Sequence, residues 1–469
     1  MSIHKYILIF VSIALLFSSC IKEEYNNDDN ASLVFSTDSI FFDTVFTNVG
    51  STTAYLTIHN PSNKILNINS IGLGMGSASQ YRLNINGQTS ELVRNIELDA
   101  NDSLYVLVEV TVNPNAENEP FVIQDSLVCN INGKSQDVKL IAWGQNAHYI
   151  DGRKNGHIQT QTWTADKPYL IYNSMQIDSL QTLTIEEGVK IYLHKDSYLI
   201  AKGKLNIQGS FDNPVVIQGD RLEQAYKNVP GQWGNIILTD GSGVHHINWA
   251  EIRNGIIGIQ VGSLSASQKP ALIIKNSKIE NMNYAGLFAL TSTIQAQNCL
   301  VSNCGFYNMA ILAGGAYQFE QCTFANYWNY GQRSEPSVII SNNFTNAEGQ
   351  QIVYDLIQAD FSNCIIYGDK DNELLLSNDL SVPFNYLFEN SLLKVEEEFT
   401  LNPDHYTNVI KNINPNFINS YQLDYQLDTL SPAKDIGKLS IGQAAPIDLN
   451  NNSHIADGLP DLGAYERVE

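Results

Sequence analysis

Residues 248–254 read NWAEIRN, and the pattern returns as KNSKIEN (275–281), QNCLVSN (297–303), EQCTFAN (320–326), SNCIIYG (362–368) and ENSLLKV (389–395). Aligned on the small residue, the series is Ala250, Ser277, Cys299, Cys322, Cys364 and Ser391, spaced 27, 22, 23, 42 and 27 residues apart. Strand-like runs recurring at roughly 20–30 residues indicate a solenoid in which each repeat forms one coil. Within each repeat the small residue and the residue two later alternate with polar neighbours, the period of a half-buried strand. The expected inward pairs are Ala250/Ile252, Ser277/Ile279, Cys299/Val301, Cys322/Phe324, Cys364/Ile366 and Ser391/Leu393.

Amides flank these strands at fixed places. Asn276, Asn298, Gln321, Asn363 and Asn390 precede the small residue, and Asn254, Asn281, Asn303 and Asn326 follow it by four. An amide repeated at one position of a coil can hydrogen-bond the backbone of the next, satisfying a bend where strands stop. The pattern resembles the right-handed parallel β-helix of the pectate-lyase type. Leucine-rich and ankyrin repeats fit poorly, because neither a helical repeat nor an LxxLxL motif is present. The stretch 183–221, broken at Gly188, Gly203, Gly209 and Pro214, resembles the opening coils of bacterial β-helix proteins, and PGQWGNIIL (230–238) reads as the next coil. The spacing of 42 before Cys364 implies either a coil with a degenerate small position or a long loop. SVIISNNF (337–344), with Asn342 and Asn343, favours the extra coil.

Residues 1–19 carry Lys5, then an apolar run from Tyr6 to Phe17, then Ser18, Ser19 and Cys20. The run is too short to span a bilayer and matches a signal-peptide core. The site resembles a lipobox, with Phe17 where that motif usually has Leu, which implies lipidation at Cys20. Two or three acyl chains hold a protein durably to a membrane where one does so only marginally. The stretch after Cys20, IKEEYNNDDN, reads as a flexible tether over 20–31. Its Lys-Glu-Glu run resembles the tag that exports some lipoproteins to the outer face of the outer membrane; a solvated spacer is the alternative.

Residues 32–147 read as short strands separated by Gly, Asn, Ser and Pro turns at sandwich spacing. The phrase SIFFDTVFTNVGSTTAYLTIHNPSNKILNINSIGL resembles bacterial Ig-like domains of the abnormal-spindle/hydin type. At the other end, LDTLSPAKDIGKLS (427–440) and DLNNNSHIADGLPDLGAYE (448–466) resemble the terminal coil of bacterial β-helix proteins, with His454 where an arginine is usual. The expected fold is therefore all-β: an Ig-like β-sandwich over 32–147, then a right-handed parallel β-helix over 148–469 with a closing coil.

The formal charge is −22, and loss of Lys5 with the leader leaves −23. Such a field repels nucleic acid and anionic head groups. Of six cysteines, Cys20 is assigned to lipid, Cys129 is isolated, Cys304 follows a turn, and Cys299, Cys322 and Cys364 belong to the core series. With no CxxC pair a zinc site is not expected. Asp448, Asn450 and Asn452 are spaced like the start of a calcium loop, although no Gly-x5-Glu follows; a polar turn is the alternative.

The polygalacturonase signatures NTD, GHG and RIK and the pectate-lyase WIDH are absent. Glu251 over Lys278 and Arg253 over Glu280 read as exposed cross-strand ion pairs, and His245-His246 as turn decoration. Trp233, Trp249, Tyr307, Tyr327, Trp328, Tyr330 and Tyr354 could stack on sugar rings. The preferred binding loop is NYWNYGQR (326–333), with Tyr327, Trp328, Tyr330 and Arg333 as contacts. Six tripeptides, at 38–40, 43–45, 102–104, 125–127, 178–180 and 428–430, fit an Asp-Ser/Thr-aliphatic O-glycosylation sequon. The expectation is an outer-membrane lipoprotein, anchored to the membrane, that binds glycan or another surface ligand without catalysis. A polysaccharide lyase or glycoside hydrolase, and a structural stalk that assembles with envelope proteins, are the alternatives.

Overall fold

The computed structural model describes residues 24–264, 269–346 and 348–468, so Cys20 and the leader lie outside the described residues. The chain divides between Asn146 and Ala147 into two compact units. The first is a β-sandwich of two five-stranded sheets. Strand Ser103–Val110 alternates exposed and buried along its length, and Leu56, Ile58, Val106, Val108, Leu127, Val138 and Leu140 meet in the core. The tether is shorter than its composition suggests. Asn26 donates to the Ile65 carbonyl at 2.7 Å, and the Asn132 amide donates to the carbonyls of Asn26 and Asp28, each at 2.9 Å. These bonds fix the backbone to the sandwich from Glu24 on.

The second unit is the right-handed parallel β-helix. Each coil crosses three faces. Face one is an 11-stranded parallel sheet, and faces two and three are the two halves of a 17-stranded sheet that bends once per coil. Ala285–Gln297 and Tyr307–Glu320 are single strands that round this bend, with a register shift where they turn. On face one Ile252 pairs with Ile279, then Val301, Phe324, Ile366 and Leu393, in the register the repeats imply. The small-residue column is buried, and its hydroxyls and thiols cap strand ends. Ser277, Cys299, Cys322, Cys364 and Ser391 each donate to the carbonyl two residues earlier. On face three the rings of Phe319, Phe361, Phe388 and Tyr406 form an inner stack at 4.7, 4.8 and 5.5 Å.

The corners on either side of face one explain the amides. Asn276, Asn298, Gln321, Asn363 and Asn390 at one corner, and Asn254, Asn281 and Asn303 at the other, all have positive φ. Asn adopts this left-handed conformation more readily than other residues with a side chain. Its amide then bonds across coils: Asn298 donates to Asn276 at 2.8 Å, and Asn303 donates to Asn281.

The spacing of 42 is an insertion and not an extra coil, which corrects the reading of SVIISNNF. The strand Thr323–Asn326 pairs directly with Ile365–Gly368, so no coil intervenes on face one. Val338–Ser341 is an ordinary face-two strand, and the added length is the hairpin of Asn343–Thr345 with Gln351–Val353.

The C-terminal residues do not close the stack with another coil. Residues 417–427 form their own hairpin. With residues 433–466 they fold back as a strap over the outer side of face one, covering Leu300, Ala325, Ile365, Tyr367 and Leu392. Here the corner amides change partner. Asn363 donates to the Lys438 carbonyl and Asn390 to that of Ile436. Gln321 is one methylene longer than the Asn of its column, and it reaches the carbonyls of Asp461 and Gly463 at 3.0 and 3.1 Å. Gly463 (φ +91) is required at this contact, because a Cβ would lie 2.4 Å from the Thr323 hydroxyl. His454 is fully buried against Glu466 at 3.1 Å. Burial lowers the His454 pKa to about 4 and raises that of Glu466 to about 8.

His245 does not decorate a turn. It is a fully buried strand residue whose Nδ1 accepts from the Leu205 N–H at 3.1 Å and whose Nε2 meets the Ser242 hydroxyl at 2.8 Å. Burial, with His246 and Lys204 nearby, lowers its pKa to about 4.

Two predictions follow from corners and core. Asn298→Ala, which keeps neither the left-handed preference nor the buried hydrogen bond, should cost roughly 2–3 kcal/mol in denaturant unfolding, and Asn298→Gly less. His245 is neutral in the fold and protonates more readily when unfolded, so its contribution is complete above pH 6.5 and declines as pH falls toward 4. That loss should amount to roughly 3 kcal/mol at most, and urea midpoints across this range should fall less steeply for His245→Gln.

Candidate functional site

The corner between faces one and two carries aromatic rings on three successive coils. Tyr284 follows Asn281, Phe306 and Tyr307 follow Asn303, and Trp328 and Tyr330 follow Asn326. Parallel pairing places Phe306 and Tyr307 one coil above Tyr284, with their N–H groups donating to the Tyr284 carbonyl at 3.0 and 3.1 Å, while Trp328 and Tyr330 lie in the longer loop that leads to Val338. The Tyr284 ring lies 4.9 Å from Phe306, 6.0 Å from Phe288 and 6.2 Å from Tyr307. Trp328 and Tyr330 are 5.3 Å apart. Gly305 lets the third coil join the first two, since a Cβ there would sit 2.2 Å from the Asn283 carbonyl and 3.2 Å from the Trp328 ring. Phe306 is 39% exposed and Tyr330 46%, while Tyr284, Phe288, Tyr307 and Trp328 are half-buried. The result is a ledge with rings partly open to solvent.

Its polar margin is the Tyr307 hydroxyl, which donates to Glu335 at 3.0 Å. Burial, and then the Glu335 charge, raise the tyrosine pKa, which keeps the hydroxyl a donor at neutral pH.

The binding loop read from the sequence is therefore divided. Trp328 and Tyr330 belong to the ledge. Tyr327 turns the other way, 6.1 Å from Tyr425 and 6.3 Å from Phe417 under the strap. Arg333 is only 6% exposed and is no ligand contact. It makes a bidentate pair with the fully buried Glu373 at 2.6 and 2.7 Å, a further pair with Asp369, and a bond to the Glu335 carbonyl at 2.9 Å. Burial pushes the Glu373 carboxyl above its ordinary value, and the guanidinium opposes that shift. Arg333 thus fixes the loop that presents Trp328, Tyr330 and Glu335.

Sequence reading missed Tyr284, Phe288 and Phe306. A usable signal was present: Tyr284 and Phe306 each stand three residues after the second corner asparagine, and Trp328 and Tyr330 flank the same place.

The other candidates have structural roles. Asp448 is buried, and its Oδ1 accepts from the N–H groups of Asn450 and Asn452 at 2.8 and 2.6 Å. Its Oδ2 accepts from the Glu466 N–H at 2.8 Å. The Asn450 amide donates to Gln426 at 2.7 Å. Backbone donors thus occupy both Asp448 carboxylate oxygens, as in a polar turn. Trp233 is in the core. Tyr354 donates to the Leu264 carbonyl at 2.6 Å.

A second cleft, of about 160 Å³, lies where the strap meets face one, between Phe211, Trp249, Glu251, Asn276, Lys278 and Leu449. Glu251 sits beside Lys278 and Arg253 beside Glu280 in the register. The close ion pair is nonetheless within one strand, Arg253 to Glu251 at 2.6 Å, and not across coils. Burial raises the Glu280 pKa, partly offset by Lys278 and Arg253. Trp249 stands at φ +50 in the column otherwise held by Asn and Gln, and its ring meets Phe211 edge-on at 5.6 Å.

Comparison with known proteins supports the fold. Residues 254–394 match the family model described as right handed beta helix region. No curated protein sequence matches the chain. Among solved structures, the PapD-like domain 7 of human CEP192 is 10% identical at a TM-score of 0.18, covering 25% of this chain and 87% of that one. A family 123 glycoside hydrolase from Clostridium perfringens is 7% identical at 0.19, covering 26% and 30%. The catalytic unit of a GH87 alpha-1,3-glucanase from Streptomyces thermodiastaticus is 10% identical at 0.24, covering 76% and 89%. Scores this low carry no functional argument.

Arg333→Ala would leave the Glu373 charge buried without a counter-ion, held only by the N–H groups of Ser337 and Lys370 at 2.8 and 3.0 Å, and should cost about 3–5 kcal/mol in denaturant unfolding. The double variant Arg333→Met/Glu373→Gln, which removes the charge but keeps an acceptor for the Ser337 and Lys370 N–H groups, should recover part of it.

Proposed function

We propose that this protein is a lipid-anchored cell-envelope protein whose β-helix binds glycan, without turnover, along the ledge of Tyr284, Phe288, Phe306, Tyr307, Trp328 and Tyr330. One observation carries the reading: rings from three coils converge on one corner and keep part of their area in solvent. Aromatic faces bury apolar area readily and need a partner that is apolar on one side and polar at its rim, as a pyranose is. The Tyr307 hydroxyl and Glu335 carboxylate supply hydrogen-bonding groups at the edge. The anchor draws on the leader and Cys20, and the outer-membrane location on the acidic run that follows.

A second reading, cleavage of a glycan, draws on the strap cleft at the opposite corner of face one. Glu251 lines that cleft, paired with Arg253, and Glu280 lies diagonal to it one coil on, outside the cleft lining, its pKa raised by burial. Carboxylates in unlike environments are what an acid and its partner require.

One experiment addresses both. The chain from residue 24 on is screened against plant, host and bacterial polysaccharides, reading binding and product release together. Binding without release is expected, and Trp328→Ala should weaken it about tenfold, or ~1.4 kcal/mol. Product release that is lost in Glu280→Gln would establish the second reading instead.

A further inference from the structure

The ledge has a direction, and the direction constrains its ligand. Its rings follow the solenoid axis: Phe306 and Tyr307 stand one coil above Tyr284, and the loop of the next coil brings the Trp328 ring over Gly305. Tyr284 stands on one coil, Phe306 and Tyr307 on the next, and Trp328 and Tyr330 on the one after. Neighbouring strands of a sheet lie about 4.8 Å apart, and the measured Tyr284–Phe306 separation of 4.9 Å follows that spacing. One pyranose unit in an extended β-linked chain advances by a similar distance. A ligand lying along the axis therefore meets a fresh ring with every sugar, whereas one lying across it meets only a single coil.

Charge narrows the class further. The formal charge of the chain is −22. The ionisable group at the edge of the ledge is the Glu335 carboxylate, held by Tyr307 and Ser334. The nearby guanidinium of Arg333 is turned inward onto Glu373 and Asp369. A uronate polymer would bring its carboxylates against Glu335, with the Arg333 guanidinium turned inward and the Lys370 ammonium bonded to the Arg333 carbonyl at 3.3 Å.

We infer that the ledge is a linear track for the interior of an extended, uncharged, β-linked polysaccharide, lying parallel to the solenoid axis with about one sugar per coil. This rests on the glycan-binding reading of the same ledge and specifies its substrate class.

The test is calorimetric titration of the protein with xylo- and cello-oligosaccharides of one to six sugars, and with oligogalacturonides of the same lengths. At least one neutral series should gain affinity with each added sugar up to about three, one for each coil of the ledge, and then level off. Its hexamer should bind at least tenfold tighter than the acidic hexamer. Tyr284→Ala should weaken the hexamer about tenfold while changing the disaccharide little, because short ligands can still occupy the Trp328 end. Thermal melting of the variant serves as the folding control, and Phe306→Leu provides a milder substitution on the same track. A disaccharide binding as tightly as the hexamer, equal affinity for the acidic series, or failure of both neutral series overturns the track. If a polysaccharide array is positive while any of these holds, the track alone fails. An array with no binding at all removes the glycan reading itself.

Discussion

The architecture depends on a recurring backbone requirement: before face one in all six repeats, and after it in three, the chain turns at a residue held at positive φ. A side chain in that conformation is strained unless it is small or can bond locally, and asparagine is the common solution. Where asparagines hold this corner on successive coils, as at 276 and 298 or 281 and 303, each amide meets the amide below. Corner geometry and cross-coil bonding are thus one device. They also set the register, since a slip by one residue would turn the small column and its aliphatic partners out to solvent.

Because the corners bear this constraint, the residues just beyond them are free to vary, and the aromatic ledge is built there. Its position is rigid for reasons outside the ledge. The stacked coils hold Tyr284 and Phe306, while the buried Arg333–Glu373 pair ties down the longer loop that carries Trp328 and Tyr330. A buried ion pair is a poor source of net stability but discriminates strongly against alternative loop conformations when one partner would otherwise be left alone.

The repeat was legible because inward positions obey a strict period, and the corner amides were legible because a left-handed turn accepts few residue types. The inserted hairpin at 343–353 was misread because a face-two strand followed by Asn342 and Asn343 resembles the corner pattern by composition alone. Trp328 and Tyr330 could be picked from a loop rich in aromatics. Tyr327 and Arg333 in that loop could not be sorted from them, since only the strap and Glu373 decide which way they point. Tyr284 and Phe306 were missed because their shared offset from the corner asparagine gains meaning only once the coils are stacked, and Phe288 because its contact with Tyr284 exists only in the fold. The strap was hidden for a similar reason: Gln321, Asn363 and Asn390 look like members of a column that bonds to itself, yet they bond to residues more than 40 positions later.

The strap also imposes an order of assembly. Coils can stack on their neighbours as soon as each is available, because their contacts are local in the repeat sense. The outer side of face one cannot be finished that way, since Leu300, Ala325, Ile365, Tyr367 and Leu392 wait for residues up to 465. Until those arrive, the molecule shows an oily strip on a flat parallel sheet, a surface prone to self-association. The last segment to join therefore acts as an intramolecular chaperone for the coils before it, shielding in the finished protein the surface that most endangers the unfinished one.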